Sequence, residues 1–407
     1  MDVVHERCAG LDVHKEEVVA CARVTTGRRT TYVQARFPTT TRGLLALSEW
    51  LAGQGCTVVA MEATGVYWKP VWHLLEDAYD LILANAAHVR AIPGRKSDTN
   101  DAHWLADLLA HGLIRASFVP PTAIQDLRDL TRTRKQLVRE VAQHTLRIQK
   151  TLEDANIKIT GVVTDLLGVS GRAILTGLIA GETDPARLLA RTTGRLQADA
   201  SRLLDGLQGR VTAHHRFLLQ LHLDQIATLD AGVARIEAEL EDRLHPFRDA
   251  IARLSTIPGV SAVVAQTLVA EIGLDMTRFP TSGHLISWAG LCPKMDESAG
   301  KRRSTRLRHG APWLKTVLVQ AAWAASRMRE GYPRAQFARL RARRGPKKAV
   351  VAVAASLLTA AYFILRDGTV YRDLGSRYFD ERDKARAVRR LTRRIEALGY
   401  SVQVAAA

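Results

Sequence analysis

The spacing of apolar and polar positions changes character several times along the first hundred residues. Three short apolar runs, Cys8 to Val13, Val18 to Val24 and Thr30 to Phe37, are parted by charged or glycine-containing turns at 15–17 and 27–29. That pattern predicts a meander of antiparallel strands. Helical spacing follows from Thr41 to Ala52, then a β-branched run from Thr57 to Glu62, a second helix from Trp68 to about Asp77, and a short strand from Leu81 to Ala84. Continuous apolar runs between helices fit strands buried on both faces. The order βββαβαβ predicts an α/β layer built on a mixed sheet.

From Pro120 onward the spacing is helical. Leu127, Leu130, Leu137, Val141 and Ile148 form a seam of heptad type that Arg134 and His144 interrupt. Leu229, Val233, Ile236, Leu240 and Leu244 form a second seam that stops at Pro246. Two readings stay open for these helices: a coiled-coil linker that joins or pairs domains, or an ordinary bundle. Residues 160–210 hold several glycines and no strand signal. A further unit opens at Leu254 to Gly273, where a Pro-Gly turn precedes an apolar helix in the manner of loops that offer backbone N–H groups to phosphate. Beyond it we expect a helix around His284 to Leu291, a basic loop, and a helix opening at Ala311-Pro312, where proline suits the first turn. The 17-residue apolar stretch Ala349 to Leu365 sits at the short limit for crossing a bilayer, contains Ser356 and Thr359, and reads as a buried core helix. An arginine-rich tail with a helix near Glu381 to Leu398 ends the chain. The expected divisions are 1–120, 121–250, 251–366 and 367–407.

With 407 residues, 47% of them hydrophobic, the chain can bury more than one core and falls outside the disordered class. Charge is distributed unevenly. Residues 301–407 carry 25 Lys+Arg against 7 Asp+Glu, so the whole positive excess of 58 over 41 originates there. Such a region suits a polyanion. Cys8, Cys21, Cys56 and Cys292 have no CxxC spacing, which argues against a zinc knuckle or a disulfide scaffold and for the cytosol, where a nucleic-acid-binding protein is expected to be nucleoid-associated. The first ten residues show no apolar core of a secretory signal, and no membrane partner is expected.

Candidate chemistry concentrates on acids. Asp12 follows the first strand run, Glu62 ends the fourth, and Asp98 and Asp101 lie three apart behind Ser97, a suitable helix N-cap. Carboxylates held close repel each other, and hard oxygen donors suit Mg²⁺ or Mn²⁺. If the first and fourth strands are neighbours, the four acids would serve two ions that clamp a phosphodiester. An acid on strand one, an acid ending strand four and a helix with D-x-x-D form the pattern of an RNase H/RuvC-like nuclease core.

Seven segments in order along the chain, LDVHK (11–15), MEATGVYW (61–68), RKSDTNDA (95–102), IPGV (257–260), WAGLCP (288–293), ESAGKRRS (297–304) and YRDLGSRYF (371–379), resemble the transposases of the IS110/IS1111 insertion-sequence family. The resemblance implies a RuvC-like domain with a DEDD set, a helical coiled-coil linker and a mostly helical C-terminal transposase domain with an essential serine. Matched position by position, the acids are Asp12, Glu62, Asp98 and Asp101, and the serine is Ser298. It also implies donor and target DNA as partners and, as for some members, a noncoding bridge RNA; the long helices make a homodimer or tetramer on DNA the expected assembly. Where the family commonly places an Asn before the next helix, this chain reads His309-Gly310-Ala311.

A serine hydroxyl attacks poorly at neutral pH without a base, a metal or dense positive charge. Lys301, Arg302, Arg303, Arg306 and Arg308 surround Ser298 in sequence and are candidates to hold a phosphate. Ser304 is the local rival. The expected activity is metal-dependent cutting and rejoining of DNA through a serine–DNA link. The alternatives are a hydrolytic RuvC-like junction-resolving nuclease, in which Ser298 is structural, and a non-enzymatic nucleic-acid-binding protein.

Overall fold

The computed structural model describes residues 2–63, 65–92, 101–192, 200–294 and 296–404, without the side chains at 87, 90, 91, 296 and 302. The chain divides into two units, 1–119 and 120–407. In the first, β1 (Arg7–Val13), β2 (Glu17–Thr26) and β3 (Arg29–Pro38) form the antiparallel meander. After α1 (Thr41–Gly53), β4 (Val58–Glu62) pairs parallel to β1. After α2 (Trp68–Leu75), β5 (Asp80–Ala84) pairs parallel to β4. The sheet order is β3-β2-β1-β4-β5, so the mixed α/β sheet expected from spacing is present and its boundaries move by a residue or two. Thr40 caps α1 by accepting from the Gly43 amide.

Alternation along each strand assigns the two faces. Ala9, Leu11, Val18, Ala20, Val59 and Met61 are buried with Leu44, Leu47 and Leu51 of α1 and Val71 and Leu75 of α2. Each valine, leucine or methionine among them contributes roughly 1.5–3 kcal/mol by leaving water. Cys8, Val58 and Ala60 face the other way and pack on Leu109 and Ala110 of α4 (Asp101–Ala110), which follows α3 (Ala86–Ala91). Burial pushes the Cys8 thiol up to about 12 and those of Cys21 and Cys56 to about 11, which makes them inert packing groups.

The second unit is mostly helical. It begins with α5 (Thr122–Asp154), 33 residues and about 50 Å long. Then come α6 (Val169–Ile179), α7 (Pro185–Ala190) and α8 (Ala200–Gly206), so the glycine-containing stretch 160–210 folds largely as helix. The chain returns along α9 (Ala213–Arg243), antiparallel to α5. Asp126 pairs with Arg243 at one end, Arg134 with Glu237 further in, and Asp154 with His215 at the other end. The two polar interruptions of the first seam thereby find partners, since His144 meets His222 through their Nδ1 atoms at 3.2 Å. The end distal to Asp126 carries its own core of Ile148, Leu152, Ile157, Ile174, Leu178 and Leu203.

α10 (Arg248–Ser255), α11 (Ala262–Ile272) and α12 (Ser282–Trp288) follow, then β6 (Asp296–Ser298), β7 (Lys301–Ser304), α13 (Pro312–Ser326), α14 (Tyr332–Arg344), α15 (Pro346–Asp367), α16 (Tyr378–Glu381) and α17 (Lys384–Glu396). The last of the helical expectations hold: Pro312 occupies the first turn of α13, and the apolar stretch is α15, with Val350, Val353, Leu357, Leu358 and Ile364 buried. Glu271 on α11 is fully buried and receives Arg132 in a two-point pair at 2.8 Å, with Arg128 at 3.7 Å. Arg128 also donates to the Glu271 and Ala270 carbonyls, closing the end of α11. The segment 371–379 is tied back by Asp373, which accepts from the Tyr332 amide at 2.9 Å, and by Tyr371, whose amide donates to Thr256.

Candidate functional site

Asp12 and Glu62 arrive at one end of the sheet by strand register. Leu11 of β1 lies beside Met61 of β4 in the parallel pair, so the next residues, Asp12 one short of the end of β1 and Glu62 at the end of β4, come at the same end of neighbouring central strands. Both belong to the face that α4 covers. Asp12 continues the Cys8, Gly10 series and Glu62 the Val58, Ala60 series. Gly10 permits the approach of α4: a Cβ there would lie 2.2 Å from the Ala102 carbonyl oxygen and 2.5 Å from the Ala106 amide nitrogen. The first turn of α4 therefore rests on the strand just before Asp12. Asp101, half-buried, is the first described residue of that helix. Three of the four predicted acids thus share one face and one end of the sheet. Asp98 lies outside the described residues.

His14 meets Asp12 through Nε2 and Oδ2 at 3.0 Å, which fixes one carboxylate oxygen. On the other side of α4, Asp107 accepts from Arg23 Nε at 3.0 Å and from the Tyr32 hydroxyl at 2.6 Å, and His103 stacks on Tyr32. This network, with Arg23 only 4% exposed, bolts α4 to β2 and β3. Burial first, and the Asp107 carboxylate second, push the Tyr32 phenol up. Sequence spacing had given no weight to Arg23 and Asp107, because contacts at such chain separation leave no local signal. The donors at the strand ends are all carboxylate oxygens, the set that suits a hard divalent cation. Among the described residues, no three His, Cys, Asp or Glu side chains gather closely enough to enclose an ion.

The basic loop expected after α12 is a β-ribbon. Ser298 pairs with Lys301, and Ala299 and Gly300 between them have φ of 50° and 72°. Two successive positive φ values make the hairpin turn whose twist matches the strands. The ribbon escapes a search for alternating polarity because both of its strands are polar, and Ala-Gly is a weak turn signal. Arg303 is the extra residue of a bulge, between the Glu297–Arg302 and Asp296–Ser304 pairs. Pairing continues at Pro293–Leu307, and Arg308 Nη1 donates to the Ser287 hydroxyl of α12 at 2.9 Å, anchoring the ribbon's base.

Ser298 is exposed at the tip, and among the described side chains none hydrogen-bonds its hydroxyl. Lys301, Arg303, Arg306 and Arg308 are exposed, and among the described residues none is paired with a carboxylate. Arg302 is on β7, with its side chain outside the described part. Ser304 is half-buried, and its hydroxyl oxygen accepts from the Arg306 amide at 3.2 Å. The acids belong to the first unit and Ser298 to the second.

Two family models match the chain. That of the DEDD domain of IS110 elements, described as Transposase, covers residues 9–157, and that described as Transposase IS116/IS110/IS902 family covers 251–338. Among curated relatives, the "Insertion element IS110 uncharacterized 43.6 kDa protein" of Streptomyces coelicolor is 33% identical over 140 residues, 34% of this chain and 33% of the relative. The "Transposase for insertion sequence element IS1111A" of Coxiella burnetii is 24% identical over 281 residues, 66% of this chain and 76% of that protein. The chain thus spans about a third of the length of the Streptomyces relative.

Proposed function

The chain belongs to the IS110 family of insertion-sequence transposases, and from that premise we propose that it is a DNA transposase that cuts and rejoins strands through Ser298. The observation that carries this reading is the register of β1 and β4, which brings Asp12 and Glu62 to the same end of two neighbouring strands beneath α4, the helix that carries Asp101. The sheet order with α4 across it supports a RuvC-like reading of the first unit. Asp12, Glu62, Asp98 and Asp101 would hold Mg²⁺ or Mn²⁺, which supplies Lewis-acid polarisation of a phosphate oxygen and stabilises the charge that builds there.

The chain's own residues do the rest. The hydroxyl of Ser298 forms an Oγ–P bond while the phosphodiester's bond to a sugar oxygen breaks. The serine proton leaves to a base, and the sugar oxygen takes one up. Attack of a sugar hydroxyl on the phosphoserine reverses the exchange and returns the serine, so bond energy is conserved for rejoining. Lys301, Arg303, Arg306 and Arg308 hold the phosphate and offset its developing charge. Ser298 suits the task better than Ser304 because its hydroxyl stands free at the ribbon tip, whereas that of Ser304 caps the Arg306 amide. Activation of the hydroxyl belongs to the DNA-bound assembly. There Ser298 meets the acids of its own chain or of a second copy, paired through the α5/α9 hairpin as a dimer or tetramer. Donor and target DNA are the substrates, and a noncoding bridge RNA selects them.

Incubation with DNA carrying the element's ends should yield a protein–DNA adduct that survives denaturation, and Ser298→Ala should lose it while folding normally. Full strand exchange by Ser298→Ala would favour the hydrolytic reading, in which the acids act alone. Sequencing of RNA that co-purifies with the protein tests the guide.

A further inference from the structure

A second cationic feature of the C-terminal unit stands apart from the ribbon. Between α5, α11 and α13 a shallow cleft of about 120 Å³ is lined by Lys135, Arg139 and Trp313, with Val138, Val264 and Val317 among its apolar walls. That is too small to enclose a whole ligand and leaves room for one flat group laid against the indole. Two of its cations are already neutralised: Arg132 by the buried Glu271, and Arg134 by Glu237 at 2.8 Å. Lys135 and Arg139 are different. Lys135 Nζ reaches only the neutral Gln320 Oε1 at 3.4 Å, and the Arg139 guanidinium lies 5.1 Å from the centre of the Trp313 ring. Among the described residues neither has a carboxylate partner. Burial first, then Arg139 and Arg134, hold the Lys135 ammonium below the usual lysine range. An incoming anion would relieve that cost.

We propose that this cleft binds one unpaired nucleotide of a nucleic-acid strand, its base stacked on Trp313 in the place that the Arg139 guanidinium takes in the free protein, and its phosphate held by Lys135 and the displaced Arg139. An inorganic anion would use the cations and leave the indole and the valines without a role. A base uses both, because every base offers a flat π-face to a tryptophan and a guanidinium. A paired base within a duplex has no free face, so the site selects unpaired strands. The sugar is left open by these contacts, and DNA and RNA share the chemistry.

The test uses the full chain in metal-free buffer with EDTA, so that binding is read without strand cleavage and its outcome is independent of the transposase reading. Short fluorescein-labelled oligothymidylate and oligouridylate are titrated and followed by anisotropy. Trp313→Ala should weaken binding about ten-fold, and Trp313→Phe should restore most of the loss. Lys135→Ala with Arg139→Ala, both on the surface of α5, should lower the salt dependence by about two phosphates' worth of released counterions. An iodouracil-substituted strand should crosslink to the peptide containing Trp313, and the ratio of the two sugars assigns DNA or RNA. Unchanged affinity in both sets of variants, or crosslinks confined to other peptides, would overturn the proposal. So would an acidic peptide that displaces the strand as well as unlabelled oligonucleotide does.

Discussion

Asp12 and Glu62 stand on central strands with helices packed across both faces of the sheet, whereas Ser298 stands exposed at the tip of a two-stranded ribbon. The acids inherit their position from register, from the closeness that Gly10 allows and from the Arg23–Asp107 bolt. Ser298 inherits its position from two positive φ angles and the hold of Arg308 on Ser287. Damage to the first arrangement should spread into the stability of its unit. Damage to the second should stay local. A rigid donor set needs prepaid order, while a nucleophile that waits for DNA can be ordered by DNA.

The largest effect expected from breaking this contrast is chemical. Asp12→Asn or Glu62→Gln should lower strand cleavage on the order of 10³-fold with little change in the folded baseline by circular dichroism, because several kcal/mol of charge stabilisation depend on them. Cleavage at wild-type rates would remove the acids from the mechanism. Next comes Glu271→Gln, which leaves Arg132 and Arg128 without their buried counter-charge. It should cost about 3 kcal/mol or more, read as a lower urea midpoint, although Glu271 is far in sequence from any candidate acid.

A paired measurement then separates the two regions directly. Gly10→Ala inserts a methyl group against the Ala102 carbonyl and should cost roughly 1–3 kcal/mol along with cleavage, both from displacement of α4. Gly300→Val, at φ 72° with no neighbour to strike, should lower adduct formation and leave the thermal midpoint in place. A shared loss of stability would erase the distinction drawn here.

The smallest effect concerns pH. Burial, then His144 and Arg147, hold His222 below the ordinary histidine pKa of 6.5. The unfolded chain therefore takes up a proton before the folded one does. Stability is complete above that ordinary value and falls as pH drops below it toward the folded pKa. A thermal midpoint that falls slightly between pH 7.5 and about 5.5, and a flatter profile in His222→Gln, are the expected results.

The α/β unit was legible because its strands obey local rules: Cys8 to Val13 and Thr57 to Glu62 are apolar runs bounded by turns, and the register that aligns Asp12 with Glu62 follows once those strands are neighbours. The ribbon was not, since Glu297 to Ser304 is polar on both faces and its turn is Ala-Gly. Arg134 and His144 looked like faults in a seam and are instead cross-links to Glu237 and His222, partners that only the return of α9 supplies. Lys135, Arg139 and Trp313 could not be grouped from sequence, because α5 and α13 are joined by more than a hundred and fifty residues.

The α5/α9 hairpin acts mechanically as an arm about 50 Å long. Its base is clamped where Arg128 and Arg132 grip Glu271, and its far end carries a small core of its own. A tilt of only about 6° at that clamp would sweep the far end of α5, about 36 Å away, by roughly 4 Å, as simple geometry requires. A salt bridge buried at the fulcrum thereby governs how precisely anything gripped at the tip is aimed.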